Sequence, residues 1–92
     1  MNDLITVEHN PSPAKLDVLA VDVWPIWEKE ASCFTWTYAE TERCYILAGV
    51  AVVTPEGGSP VTLRRNDLVT LSAGLVCTWD IQQKIRKHYY LG

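Results

Sequence analysis

The chain has 92 residues, of which 48% are hydrophobic and 21% charged, and its formal net charge is −3. This composition indicates one globular domain over residues 1–92 and excludes a disordered chain. An acidic balance without a basic stripe argues against nucleic-acid binding, and no apolar run is long enough to span a membrane.

The N-terminal part predicts one strand followed by one helical turn. The run from Leu4 to Glu8 has strand character, and Asn10-Pro11 ends it. Ser12 can serve as the N-cap of a short helix that has Pro13 at its first position and extends through Leu19.

From residue 32 onward the sequence consists of short β-rich runs separated by turns. Such a pattern is typical of an antiparallel sandwich or barrel. Gly49 separates two of the runs, and the two glycines within Pro55–Ser59 predict a hairpin turn, because glycine readily adopts positive φ. The predicted strands are 32–38, 43–47, 50–54, 60–63, 68–71, 76–81 and 85–91.

The chain contains three cysteines, an odd number, and no CxxC pair. Reduced thiols are the expected state, and these persist in the cytoplasm. The first residues, Met1 to Leu4, lack the positive and apolar segments of a signal peptide. We therefore expect a cytoplasmic protein.

Several short motifs occur in a fixed order over residues 20–90. They are Trp24-Pro25-Ile26-Trp27-Glu28, Glu42-x-Cys44-Tyr45-Ile46-Leu47-x-Gly49, Asp67-Leu68-Val69, Gly74-x-x-Cys77-x-Trp79 and Arg86-Lys87-His88-Tyr89. Together they resemble the small single-domain cupins grouped with the (S)-ureidoglycine aminohydrolase cupin domain, within the RmlC-like superfamily. The resemblance implies an all-β cupin fold, an antiparallel β-barrel of the jelly-roll or double-stranded β-helix type with a short N-terminal helical turn. Motif 1 would lie at about 34–49 and motif 2 at about 66–81.

In metal-binding cupins, which this chain resembles, three histidines and one glutamate hold the ion. The resemblance aligns Glu42 with the glutamate, Trp36 and Tyr38 with the paired histidines, and Cys77 with the third. Tryptophan cannot ligate a metal, and a phenol ligates only when it is deprotonated. Glu42 and Cys77 alone are too few for a tight site, so we expect no metal or other cofactor. A divalent metal is the less favoured alternative.

The remaining candidates for a ligand site converge on the barrel interior. Period-two alternation places Glu42 and Cys44 on one face of their strand, and the aligned Cys77 faces the same interior. A thiol near a carboxylate has a raised pKa, which makes either cysteine a poor nucleophile. Cys33 lies on the opposite face of its strand and is expected to be structural or exposed.

Three aromatic residues, Trp36, Tyr38 and Trp79, complete the predicted interior. They could form a stacking wall for a planar or sugar-like ligand, or they could simply fill the space of the missing metal. Trp24 and Trp27 flank Pro25 and are expected to serve in outer packing or in a dimer contact.

The last predicted strand ends with Arg86-Lys87-His88-Tyr89, and its side chains alternate between two faces. The phase shared with Ile85 and Leu91 favours Lys87 pointing towards Glu42, although the opposite phase remains possible. A buried carboxylate requires such a partner or a raised pKa.

Two classes of function fit these residues. We expect a metal-free small-molecule-binding or accessory module, with a ligand site formed by Trp36, Tyr38, Glu42, Cys44, Cys77, Trp79 and Lys87. The alternative is a small hydrolase, isomerase or lyase in which Glu42 is the general acid/base. A structural module with a filled barrel is a third option. The many aromatic and apolar residues of so small a domain also predict a homodimer.

Overall fold

The computed structural model describes residues 5–92 and shows an antiparallel β fold. Within these residues the elements, in chain order, are β1 (Ile5–His9), α1 (Pro13–Leu19), a 3₁₀ turn (Val21–Val23), β2 (Ile26–Lys29), β3 (Ser32–Thr37), β4 (Glu42–Pro55), β5 (Val61–Arg64), β6 (Asp67–Leu71) and β7 (Val76–Leu91). The predicted all-β antiparallel fold with a short helix near the N-terminus is confirmed. The Leu4 position of the first predicted strand lies outside the described residues.

Two long strands, β4 and β7, run through both layers of the molecule. The first half of β4 and the second half of β7 belong to a layer with the order β1-β6-β4-β7-β2. The other halves pair with β5 and β3 instead. The two layers face each other across one apolar core, with β4 and β7 as their shared strands.

The continuity of β4 and β7 differs from the prediction of two shorter strands for each. Register shifts between Ile46 and Ala51 mark a bulged segment in β4, which bends the strand without ending its pairing with β7. Gly49 lies inside this segment with φ +96°. A bulge adds a residue to one strand, so the inward face of β4 changes from the even-numbered Cys44 to the odd-numbered Val53.

The helix is short and packs against the outside of the fold. Its N-cap is Ser12, whose Oγ accepts a hydrogen bond from the Lys15 backbone N–H at 3.2 Å, as the sequence predicts. Leu16 and Leu19 pack against a second small apolar cluster around Trp24. No helix within residues 5–92 is both long and apolar enough to cross a bilayer.

Candidate functional site

A buried ion pair joins the start of β4 to the end of β7. The Nζ atom of Lys87 donates a hydrogen bond to Oε2 of Glu42 at 2.7 Å, and the two side chains are 7% and 8% exposed. Ile85 and Lys87 lie on the same face of β7, and both are buried, so this face points into the molecule. Pairing compensates for the large desolvation cost that either charge would carry alone.

The Lys87 ammonium group lies between two indole rings. Its Nζ atom is 4.7 Å from the ring centroid of Trp79 and 4.9 Å from that of Trp27. Both distances are within the range of cation–π attraction. Trp27 is opposite Lys87 in the β2–β7 register, which places it here. The expectation that Trp27 serves in outer packing is therefore wrong, and its expected dimer contact stays a prediction.

The aromatic side chains form a connected group around this pair. The rings of Phe34 and Trp79 are stacked, with centroids 6.2 Å apart and an interplanar angle of 6°. Trp27 meets Phe34 edge-on at 6.4 Å. The hydroxyl oxygen of Tyr38 accepts a hydrogen bond from Trp79 Nε1 at 2.9 Å, which fixes the orientation of both rings.

The phenol of Tyr38 is held in its neutral form. Burial raises its pKa well above the ordinary value, and the negative charge of Glu42 raises it further. Tyr38 therefore offers an O–H donor to its surroundings and does not offer a phenolate oxygen.

A cavity of about 390 Å³ opens between the aromatic group and the ion pair. Its lining consists of Trp27, Phe34, Trp36, Thr37, Tyr38, Ala39, Glu40, Glu42, Trp79, Lys87, Tyr89 and Leu91. A filled barrel is incompatible with this open space. The cavity has the aromatic walls and few polar groups that are typical of small-molecule sites.

Five of the seven predicted ligand-site residues line this cavity, namely Trp36, Tyr38, Glu42, Trp79 and Lys87. Trp36 differs from the expectation of an interior position, because 51% of its surface is exposed and it lies at the mouth. The sequence-based hypothesis missed Trp27 and Phe34. Phe34 shares the alternation of Trp36 and Tyr38, which could have identified it, whereas Trp27 carries no such signal.

The other two predicted residues, Cys44 and Cys77, lie elsewhere. They are 0% and 1% exposed and belong to the apolar core, outside the cavity lining. Burial raises the pKa of each thiol to about 11. For Cys44, the positive charge of Lys87 counteracts burial in part and the negative charge of Glu42 adds to it. Cys33 is exposed, which is one of the two alternatives, structural or exposed, that the sequence predicts.

We predict that only Cys33 reacts with a thiol reagent in the folded protein at pH 8. Cys44 and Cys77 are inaccessible, and their raised pKa values keep them as thiols. Because the folded-state pKa exceeds the unfolded value of 9.0, neutral thiols favour folding below pH 9, and this contribution is lost between about pH 9 and 11.

The measurement is the number of thiols labelled per chain, by mass spectrometry, in buffer and in denaturant. Cys33→Ser should abolish labelling in buffer and leave two reactive thiols in denaturant. Fast labelling of that variant in buffer would contradict the buried positions of Cys44 and Cys77.

The donor set at this site does not fit the metal implied by the resemblance to metal-binding cupins. Glu42 is paired with the Lys87 ammonium, which would repel a divalent cation. Tyr38 is a neutral phenol, and Trp36 has no lone pair to donate. Within residues 5–92, no three His, Cys, Asp or Glu side chains are grouped to hold a metal ion.

The family follows from a comparison with protein-family models. Residues 16–89 match the model described as the EutQ-like cupin domain. The chain belongs to the EutQ-like cupin family. Comparison with curated proteins finds no significant match.

The family match and the similarity to solved structures confirm the predicted cupin jelly-roll fold. A DUF861 family protein from Thermotoga maritima is 46% identical, with a TM-score of 0.92, and the match covers 96% of this cupin and 99% of that chain. The EutQ protein of Clostridium difficile is 20% identical with a TM-score of 0.66, over 72% of this cupin and 52% of that chain. A EutQ protein from Salmonella typhimurium is also 20% identical and has a TM-score of 0.65. The match covers 72% of this cupin and 53% of that chain. Because these last two proteins are only 20% identical to this cupin, they show a shared fold alone.

Proposed function

We propose that this cupin binds a small organic molecule in the cavity without the help of a metal, as a sensor or accessory subunit. The observation that carries the proposal is a cavity of about 390 Å³ with aromatic walls and a buried Glu42–Lys87 pair. Buried charges without a ligand-related role are costly for a small domain, and apolar replacements would often be at least as stable. Their place at an open cavity supports a role in recognition.

The proposal predicts that a bulky side chain at the cavity mouth abolishes binding. Ala39 is exposed and lines the cavity, so Ala39→Trp should obstruct entry at little cost in stability. The matched control is Ala14→Trp, which makes the same change on the exposed face of α1, away from the cavity.

The measurement is a fragment screen by saturation-transfer NMR on the unaltered chain and both variants. Fragments should bind the unaltered chain and Ala14→Trp but not Ala39→Trp. Equal binding to all three chains would place the site elsewhere, and the lack of any binding fragment would overturn the proposal.

A second candidate is an enzyme with Glu42 as general acid/base. The observation in its favour is that Glu42 and Lys87 both border the cavity, so a carboxylate and a cation adjoin the same space. Cupin catalysis mostly relies on a metal, however, and the donor set here does not fit one. For the same reason we propose no aminohydrolase activity, although a closer relationship to the (S)-ureidoglycine aminohydrolase-type cupins remains part of the proposal. Loss of turnover in Glu42→Gln with a preserved fold would establish the enzyme.

We also propose a homodimer. Three large apolar side chains near the β2 edge, Val23, Ile26 and Tyr90, are 74%, 44% and 48% exposed. We infer that they form one apolar patch of the kind that marks an interface. Sedimentation of the purified protein tests it, and a monomer at high concentration would contradict it.

The three free cysteines support a cytoplasmic location, since reducing compartments preserve thiols. Fractionation of cells producing the protein tests that location.

A further inference from the structure

The polar atoms beside the cavity have hydrogen-bonding capacity that residues 5–92 do not use. Lys87 has three N–H donors, and one of them is bonded to Glu42. Oε1 of Glu42 accepts no hydrogen bond from any described residue, since the one bond of this carboxylate is at Oε2. Tyr38 accepts a hydrogen bond from Trp79, and its own O–H has no acceptor in the described part of the chain. Residues that line the cavity therefore hold one acceptor and at least two donors that make no hydrogen bond within residues 5–92.

The charge of this site restricts the ligand. Glu42 and Lys87 are both nearly buried, and their charges cancel. A charged ligand group beside them would introduce a third charge without a partner, at a high desolvation cost. Glu40 also lines the cavity but is exposed, so water screens its charge. The inner end of the cavity is therefore suited to a polar group without net charge.

The walls of the cavity restrict the shape of the ligand. Trp79 is 2% exposed and covered by Phe34 and the Lys87 ammonium, whereas Phe34 and Trp27 are half-buried and line the cavity at an angle to each other. A planar group packs on such surfaces better than a tetrahedral one. The volume of about 390 Å³ is near the lower end of ligand pockets, which limits the ligand to a small molecule.

We infer that the ligand carries a neutral planar amide group, as in a primary carboxamide or a lactam. Its carbonyl oxygen accepts from Lys87 or from the Tyr38 hydroxyl, and its N–H donates to Oε1 of Glu42. The body of the ligand packs on the aromatic rings towards the mouth at Trp36. This assignment rests on the proposed binding function and narrows it to one chemical class.

Three probes of nearly equal shape test the assignment: benzamide, benzoate and benzamidinium. They differ in charge at the group that would meet Glu42 and Lys87. Benzamide should bind the unaltered protein at least about tenfold more tightly than either charged probe, because only benzamide leaves the ion pair balanced. Dissociation constants from NMR titration of the unaltered protein provide the comparison.

Charge variants of the pair reverse the preference if the assignment is correct. Glu42→Gln leaves Lys87 uncompensated and should favour benzoate, whereas Lys87→Gln should favour benzamidinium. The double variant is neutral again and should recover the preference for benzamide. Titrations of the unaltered protein decide the question if a single variant fails to fold.

The outcomes separate this assignment from the proposed function. Tighter binding of benzoate or benzamidinium to the unaltered protein would overturn the amide class and leave the binding function intact. The same conclusion holds if none of the three binds while other fragments occupy the cavity. The absence of any cavity-binding compound would overturn both.

Discussion

Replacing Gly49 by alanine is expected to prevent folding at ordinary temperature. Gly49 has φ +96°, which side chains rarely adopt, and an added Cβ would lie 2.0 Å from the Lys84 carbonyl oxygen. The contacted atoms belong to the backbone of β7, so relief requires the separation of β4 and β7 at their bulged crossing. Backbone strain alone costs about 1–3 kcal/mol, and the clash adds to it, against a total stability of about 5–15 kcal/mol for a domain.

Gly57→Ala and Gly74→Ala are the matched controls. Both glycines have positive φ, at +74° and +87°, but no atom lies within 4 Å of the added Cβ. These variants should lose only about 1–2 kcal/mol of stability, which is the cost of a left-handed backbone conformation for a residue with a Cβ. Urea unfolding followed by circular dichroism measures all three. If Gly49→Ala is no less stable than the controls, the close approach of β4 and β7 at this point is wrong.

Replacing Lys87 by methionine is expected to destabilise the protein by about 3–5 kcal/mol, because it leaves the Glu42 carboxylate buried without a counter-charge. The double variant Lys87→Met, Glu42→Gln removes both charges and should regain a large part of this loss. The matched control is Lys84→Met on the same strand. Lys84 is exposed, and its contacts with Glu28 and Glu30 are 3.6 and 3.3 Å long, so its loss should change stability little.

Free energies of unfolding from denaturant titration complete the cycle. A double variant that is as unstable as Lys87→Met would show that Glu42 and Lys87 do not compensate each other. A Lys84→Met variant that is equally unstable would show that the effect depends on the strand and not on burial.

Alternation along the strands was sufficient to predict that Glu42 and Lys87 point inward and meet. The phase of Glu42, Cys44 and Ile46 agrees with their burial, and the phase of Ile85 favoured the inward direction that the structure shows for Lys87. These assignments succeed because neighbouring side chains on a strand point to opposite faces. A shared face does not imply a shared cavity, however. Cys44 and Cys77 face inward but are enclosed by the apolar core.

Features that depend on distant pairing could not be predicted. Trp27 belongs to a four-residue strand without a clear pattern, and its place over Lys87 results from the β2–β7 register. Trp36 follows the expected alternation, but it lies near the end of β3, where the chain leaves the sheet and the side chain is exposed. The continuity of β4 across Gly49 depends on a bulge that a glycine alone does not distinguish from a turn.

The two-layer course of β7 has a consequence for synthesis on the ribosome. β7 supplies pairing partners to β2, β3 and β4, so each layer lacks a central strand until residues 76–91 have left the exit tunnel. The segments made earlier expose unpaired edges and apolar faces during that interval, and these are the features that cause aggregation of nascent chains. The pairings of β2, β3 and β4 with β7 therefore form only after β7 emerges, whereas β1, β4, β5 and β6 can pair with one another before it.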